Sequence, residues 1–476
     1  MEGRNQSVQK STRIQDSRNR LAKAACRPCK SFVKIALTIQ YHFLPVHNVA
    51  VKRLVGYARH LPASGWRILA LTRDWQGLNE ADASWGLSWE PHLEKGSGCF
   101  IHRIPSPPIV RGRATVGEPS ISSHTSGARR LAAKVAAKAA RLSTLAFGNY
   151  PDEFVGWVRA AVAAGEQVAR THSIDVILSY CPPESNHLVA HHLARRLGVP
   201  WVPFFGDLYG FLDPPLPTFS VERLARIAWH RWCLAPASAC IGVSPAMVAF
   251  LGSRYGKPSY LVHTGFDADD FAGPDPKDAI NRQHMLVSHV GSVYPGDQRP
   301  EVLFDGIDRL LARHPEVEGR LEVRFVGSKC DDHLRKMLAG RAASRVCTVH
   351  PKVDSATAQG IVASSDGVLA FNCTAHRDRY GTLSYPTKVF EAFGARRPVM
   401  AVPADGDWVE VLLQQTRGGV SARDAEEVAA CLHAWFRSWE REGRVAYNAD
   451  EAAIAGFTRK RQTERLVDIL DSVGRS

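Results

Sequence analysis

No apolar run in the sequence approaches the ~18 residues that a membrane-spanning helix needs, so no spanning segment is expected. The N-terminus is polar and basic without an apolar h-region, and no secretory signal is read there. An RNP-type sequence, zinc-finger spacing and a helix-turn-helix signature are all missing, which sets nucleic acid behind other anionic partners. GxGxxG does not follow the first strand, which disfavours an ordinary dinucleotide site. Cysteine is not scarce, at ten residues, but it is scattered mostly through segments that read as core. Such usage is reduced and cytosolic, not a disulfide framework. The lone CxxC, Cys26 and Cys29, has no second pair and no adjacent βαβ pattern, and is read as incidental.

What is present begins with length and charge. A chain of 476 residues suggests two or three domains. Its 45% apolar and 22% charged content is ordinary for a globular protein. The formal net charge of +13 is not ordinary, and favours nucleic acid, acidic lipid or a phosphorylated substrate as partner.

Residues 1–32 are polar and basic and are expected to be a disordered tail. From Val33 the run VKIALTI reads as a strand buried on both faces. Helical periodicity follows over Val49 to Leu61, then a break at Gly65, then the strand WRILALT. This βαβ unit forces a parallel sheet with a right-handed crossover. Ligands in such sheets lie beyond the carboxyl ends of the strands. The loop Tyr41–Asn48, with His42, His47 and Asn48, is therefore a site candidate. An irregular insert covers about 77–150. Within it, residues 128–147 form a basic amphipathic helix that reads as a membrane-surface element, the alternative being an Ala-rich helix packed on its own domain.

Further on, DVILSY and WVPFFGD are strands, the second ending at Asp207. His187, His191 and His192 have helical metal-ligand spacing, but no HExxH or carboxylate accompanies them, and they read as histidines on a surface helix. Asp207, just past a buried strand, is placed to face a developing cation; capping the next helix is its alternative role. Ser244 is expected to cap a helix that starts at Pro245. Asp267 to Arg282 reads as a linker, and the triplets Asp267–Asp269 and Asp405–Asp407 as turns.

The βα alternation restarts at His284. In the loop after its first strand, Gly291, Ser292 and Gly296 let the backbone approach a ligand, and Arg299 stands at the next helix start. That resembles an anion nest with a guanidinium at its lip, or else an ordinary βα turn with a surface Arg. In YGTLSYPTKVFEAFGARRPV, Pro386 opens a helix over Thr387 to Gly394 and an apolar strand follows at Val399 to Val402. Lys388 in the first turn is poorly placed for stability unless an anion lies beside it. With Thr387, Lys388 and Glu391 converging, the stretch suits a phosphorylated ligand with a neighbouring sugar diol. A plain αβ turn with a surface Lys and Glu is the alternative.

Two Rossmann-like halves, a linker and a final helix form a set that resembles a glycosyltransferase of the GT-B fold, most similar to glycosyltransferase family 4. The resemblance runs roughly from Val33 to Leu470. It is carried by SYCPPESNHLVAHHLARRLGVPW with FFGD, IGVSPAMVAFLGSRYG with VHTGFDADDF, GSVYPGDQRPEVLFDGI and SYPTKVFEAFGARRPV. It implies an α/β protein with two parallel-sheet domains facing across a cleft: an N-terminal acceptor domain over 33–266, a linker over 267–283, a donor domain over 284–446, and a C-terminal helix within 447–476 that crosses back. It also implies a nucleotide-sugar donor and a saccharide or lipid-linked acceptor. Donor contacts would come from Gly291, Ser292, Arg299, Tyr385, Thr387, Lys388 and Glu391. Arg299 and Lys388 match the diphosphate-binding cations, Glu391 the ribose-binding glutamate, and Asp207 a polar residue of the catalytic centre. Retention of configuration, no metal and no cofactor are implied as well. Three positions depart from the family pattern. Leu383 replaces the first glutamate of a pair, His47-Asn48 replaces a glycine pair and offers acceptor or sugar contacts, and Thr264-Gly265 replaces Asn-Gly. The expected function is sugar transfer in surface polysaccharide or glycolipid assembly, by a cytoplasmic protein that is peripheral on the inner face of the membrane. A nucleotide-sugar 2-epimerase of the same fold, or a non-catalytic sugar-binding subunit, are the alternatives.

Overall fold

The computed structural model describes residues 33–77, 87–105, 151–208, 221–271, 283–327, 331–373, 377–378, 381–383, 385–404 and 406–474. The basic tail with Cys26 and Cys29, the expected helix over 128–147, and Asp405 lie outside these residues.

The first sheet starts at β1 (Lys34–Ile39), whose last four residues are buried, as a near-continuous apolar run requires. Helix α1 (Val49–His60) returns the chain to β2 (Trp66–Arg73), parallel to β1 with Lys34 opposite Trp66. Next comes β3 (Cys99–Ile104), paired to the free side of β2. This strand falls in the stretch expected to be irregular. Its side chains are mostly half-exposed, so the apolar run that marks a central strand is missing there.

Helix α2 (Val158–Thr171) leads to β4 (Val176–Cys181), α3 (Ser185–Leu197), β5 (Trp201–Phe205), α4 (Val221–Leu234), β6 (Cys240–Gly242), α5 (Pro245–Tyr255) and β7 (Ser259–Leu261). The strand order is β3-β2-β1-β4-β5-β6-β7, all parallel. Ser244 caps α5, its hydroxyl accepting from the Met247 N–H at 3.1 Å. Two of the three histidines of α3 are not a surface feature, while His192 stays partly exposed. His187 and His191 are buried, with Nδ1 of each satisfied, by the Ser179 hydroxyl at 2.8 Å and by the Cys233 carbonyl at 2.8 Å. The helix is covered on that side by Trp201 and Trp232, so these rings belong to the core.

The second sheet repeats the plan. Its elements are β8 (Met285–Val290), α6 (Pro300–Arg313), β9 (Leu321–Val326), α7 (Asp331–Leu338), β10 (Cys347–His350), α8 (Ser355–Ser364), β11 (Gly367–Phe371), α9 (Lys388–Gly394), β12 (Val399–Val402), α10 (Trp408–Thr416) and β13 (Gly419–Ser421). They order as β10-β9-β8-β11-β12-β13, again all parallel. Each sheet reverses its strand order beside its first strand, between β1 and β4 and between β8 and β11. That is where a doubly wound sheet opens a crevice.

Three helices end the chain, α11 (Ala425–Glu442), the short α12 (Glu451–Ala455) and α13 (Arg459–Val473). α13 lies on the first sheet's domain. Asp471 accepts from Lys34 Nζ at 2.6 Å and from the Trp66 indole at 3.1 Å, and Gln462 accepts from the His263 N–H at 2.8 Å. Asp267 opens a turn as expected, its carbonyl accepting from the Asp270 N–H at 3.2 Å, and its side chain is also the hub of a buried ion cluster. Arg459 reaches it at 2.7 Å and Asp270 at 3.2 Å, and His60 closes on it at 2.9 Å. The Arg459 stem passes so close to Gly56 that a Cβ there would lie 2.2 Å from its Cδ.

Burial works to raise the Asp267 carboxyl, but Arg459 and His60 outweigh it and hold it below the ordinary aspartate range. A carboxyl lowered on folding stabilises above its unfolded value of about 4 and loses that contribution as pH falls toward the folded value. Arg459→Met is expected to cost roughly 3–5 kcal/mol at neutral pH, the usual penalty for stripping one partner from a buried pair. Urea unfolding at pH 7 and again below pH 4 checks this: the gap between wild type and variant should narrow in acid.

Candidate active site

The carboxyl edges of both sheets bring several loops to one junction. From the second sheet come the loop after β8 and the start of α9. Gly291 has φ +122°, a region that favours glycine. A Cβ at Gly291 would lie 3.0 Å from both Cε and Nζ of Lys388, so the loop and the lysine are in contact. His289, at the end of β8, stands behind them. Its Nδ1 donates to the Leu369 carbonyl at 3.0 Å, while Nε2 faces the Ser292 carbonyl at 3.5 Å. Burial, and then the Lys388 charge, push this imidazole down to about 3, so it is a neutral buttress. The rest of the loop is pinned by Gln298, which accepts from the Tyr294 N–H at 2.9 Å and donates to the Phe371 carbonyl at 3.1 Å.

Lys388 is half-buried, and desolvation lowers its ammonium below the usual lysine value, opposed by Glu391 and Cys373. Thr387 precedes it with its hydroxyl unused for capping. Glu391, about one turn on, accepts from Lys52 of α1 at 2.9 Å. Burial alone would raise this carboxyl; Lys52, Lys388 and Arg459 hold it below the ordinary glutamate value.

Arg299 is placed differently. It stands at the N-cap of α6, exposed, with its guanidinium on Glu301 at 3.1 Å. Tyr385 is buried, and its hydroxyl donates to the Val243 carbonyl of the first domain and lies 3.2 Å from His263 Nδ1. Leu383 is fully buried and its carbonyl accepts from Ser244 at 3.0 Å. Both residues serve the contact between domains.

From the first sheet, Asp207 follows β5 and is half-buried, its Oδ1 accepting from the Leu208 N–H at 2.7 Å. Asn48 caps α1, accepting from the Val51 N–H at 3.0 Å. His47 is buried 3.5 Å from Glu90, which in turn accepts from Ser355 of the second domain at 2.7 Å. Burial lowers the His47 imidazole although Glu90 works to raise it.

Cys373 was not singled out by any motif. It follows β11 by two residues, and its thiol is pushed up to about 11 by burial, then by Asp297 and Asp207, with Lys388 opposing. Its thiol thus feels a carboxylate of the first domain, Asp207, and an ammonium of the second, Lys388. A strand-end position at a crevice was the available signal, though cysteine carries no motif there. Among the described residues, one grouping has metal-ligand character: His314, Glu316 and His433. It lies at the far end of the 14-residue helix α6 from the Gly291–Arg299 loop, about 20 Å along the axis.

Two all-parallel sheets of Rossmann order, meeting at such a cleft and strapped by a final helix, define the GT-B class. Residues 50–263 match the family model described as a glycosyl transferase 4-like domain. HepE of Anabaena, in complex with UDP and glucose, superposes with a TM-score of 0.58 at 15% identity, covering 92% of this chain and 100% of HepE. Sucrose-phosphate synthase of Thermosynechococcus elongatus does so at 0.57 and 14%, over 92% of this chain and 98% of its own. The trehalose 6-phosphate synthase of Burkholderia multivorans gives 0.54 and 14%, over 93% and 99%. These likenesses establish the shared fold. No curated protein matches the sequence.

Cys373 is a reporter of the cleft. Asp207→Asn should speed its alkylation by iodoacetamide at a fixed pH near 10, and Lys388→Met should slow it. Peptide mass spectrometry on the native protein reads both, and equal rates in the two variants would contradict the geometry.

Proposed function

We propose that the protein is a glycosyltransferase that moves a sugar from a nucleotide-diphosphate donor to an acceptor hydroxyl. The observation that carries this reading is the close approach of Lys388, in the first turn of α9, to the backbone of Gly291 in the loop after β8, where a Cβ would lie 3.0 Å from the ammonium. The bond that breaks joins the anomeric carbon to a diphosphate oxygen; the bond that forms joins that carbon to the acceptor oxygen, whose proton leaves to the departing diphosphate. Negative charge grows on the diphosphate and positive charge on the sugar ring. Lys388, against the Gly291 backbone, stabilises the first, and Asp207, across the cleft, the second. Arg299 reaches the same phosphates by leaving Glu301. Glu391 takes the ribose hydroxyls, sharing its carboxylate with Lys52. Gly291, Ser292 and Thr387 complete the donor site, while His47 and Asn48 lie toward the acceptor.

Retention of configuration and independence of metal rest on the resemblance to family 4. A UDP-sugar is the first donor to test, since HepE is seen with UDP-glucose. The net charge of +13 supports work at an anionic membrane surface on a polysaccharide or glycolipid acceptor, and no helix among the described residues is long and apolar enough to cross a membrane.

A thermal-shift screen of UDP-, GDP-, dTDP- and ADP-sugars identifies the donor. With it, Lys388→Ala should lower kcat by about 10²–10³, the usual loss for one oxyanion-stabilising donor. Turnover near wild type would end this reading. Binding to anionic vesicles should exceed binding to neutral ones and weaken with salt, because surface attraction is screened over ~10 Å at 0.1 M; equal binding to both removes the membrane assignment.

A further inference from the structure

Two arginines of this protein are buried to the same depth, each 3% exposed, and they differ in what surrounds them. Arg459 has Asp267 and Asp270. Arg53, on α1, has no carboxylate partner among the described residues. Its Nη2 donates to the Thr264 hydroxyl at 2.9 Å, and its guanidinium lies over the Phe204 ring at 5.3 Å from the centroid. Nε and Nη1 are buried and make no hydrogen bond. Nη1 sits under Gly206, where a Cβ would be only 2.9 Å away. Gly206 is the residue between the end of β5 and Asp207, so these donors lie at the carboxyl edge of the first sheet, beside the proposed catalytic carboxylate. Tyr180 stacks on the same Phe204 ring, with centroids 4.7 Å apart, and its hydroxyl is also buried without a hydrogen bond.

An arginine stays charged and can only donate. A buried charge without a counter-ion is strongly unfavourable, and unmatched donors at one place call for an acceptor. Water would meet the hydrogen bonds and leave the charge uncompensated, whereas an oxyanion meets both. Guanidinium is also the side chain best shaped for such a group.

We propose that Arg53 and Tyr180 form an oxyanion subsite on the N-terminal wall of the cleft, which takes a phosphoryl group of a substrate when the cleft opens and recloses. The proposal rests on the transferase reading and names a further feature of its substrates. Two sources share this chemistry: the donor's diphosphate, reached from the wall opposite Lys388, or a phosphoryl group on the acceptor.

The test uses the full-length protein with Arg53→Met and Arg53→Lys, and inorganic pyrophosphate, UDP, glucose 6-phosphate and glucose as probes in calorimetry. Thermal melting is measured without ligand. Arg53→Met should weaken binding of a phosphorylated probe at least tenfold while melting at or above the wild-type temperature, because removing a buried charge without a counter-ion outweighs the loss of the Thr264 hydrogen bond and the Phe204 contact. A loss for pyrophosphate and UDP assigns the donor; a loss for glucose 6-phosphate, with glucose unaffected, assigns the acceptor. Arg53→Lys, which keeps the charge but not the fork, should lose affinity as well, and it stands in if the Met variant does not fold. Melting below wild type with every affinity unchanged would make Arg53 a structural strut and overturn the proposal, as would the absence of binding of every phosphorylated probe to wild type. Lys388→Ala is the control: UDP binding unchanged there sinks the transferase reading, while UDP binding lost there with both Arg53 variants like wild type sinks this inference alone.

Discussion

The structure depends on one buried ion pair at the hinge. Arg459 opens the last helix and penetrates the first domain to reach Asp267 and Asp270, the residues with which the chain leaves that domain. The backbone follows the same path. Phe266 N–H donates to the Phe457 carbonyl at 3.2 Å and Arg459 N–H to the Phe266 carbonyl at 2.8 Å. Entry to the second domain and return from it are thereby tied at one point. Gly56 and Gly265 leave room for the tie: a Cβ at Gly56 would collide with Arg459, and one at Gly265, with φ +65°, would lie 2.8 Å from the Phe457 carbonyl. A buried pair of this kind adds little net stability over an apolar replacement, so its value lies in fixing geometry. Here the geometry is the angle at which two sheets present their carboxyl edges.

With that angle set, strand topology does the rest. Both sheets reverse order beside their first strand, so the loops after β1 and β8 open into the crevice together with those after β4, β5 and β11. Lys52 to Glu391, Ser355 to Glu90 and Ser244 to the Leu383 carbonyl then bridge the walls. Apolar contact completes the closure. The ring of His263 stacks on Trp408 of the second domain with centroids 5.3 Å apart and the planes 1° from parallel. Burial pushes that imidazole down to about 4, so at neutral pH it packs as an uncharged ring.

Much of this was legible in the sequence, and for a physical reason. Strands buried on both faces must be apolar throughout, so VKIALTI, WRILALT and VMAV announce themselves. A cap such as Ser244 is local chemistry, readable without tertiary contacts. β3 was hidden because an edge strand need not be apolar on both faces. The turn at Asp267 was readable, but its buried pairing was not, because its partner Arg459 lies 192 positions away. His187 and His191 read as surface residues because a histidine in the core is marked by its acceptors, Ser179 and the Cys233 carbonyl, and neither is local in sequence. Around the cleft, Gly291 and Lys388 come from separate motifs whose contact only the fold creates. Arg299 shows the converse: its position at a helix start was readable, while its pairing with Glu301 was not.

The seam between the domains also explains why an apolar side chain stands at Leu383. A second acid at that position would sit in the apolar seam between domains, where Leu383 is fully buried and its backbone carbonyl is engaged by Ser244. Burying a carboxylate there without a partner would cost several kcal/mol, more than a single hydrogen bond to a sugar returns. The seam instead keeps apolar surface in contact and leaves electrostatics to residues at its rim. Lys52, Lys388 and Glu391 are each partly exposed to the crevice, so their charges stay solvated enough to persist and desolvated enough to act strongly on a ligand. Placing the acids and bases at the rim, and apolar side chains along the seam, lets one interface both hold two domains together and keep a polar site between them.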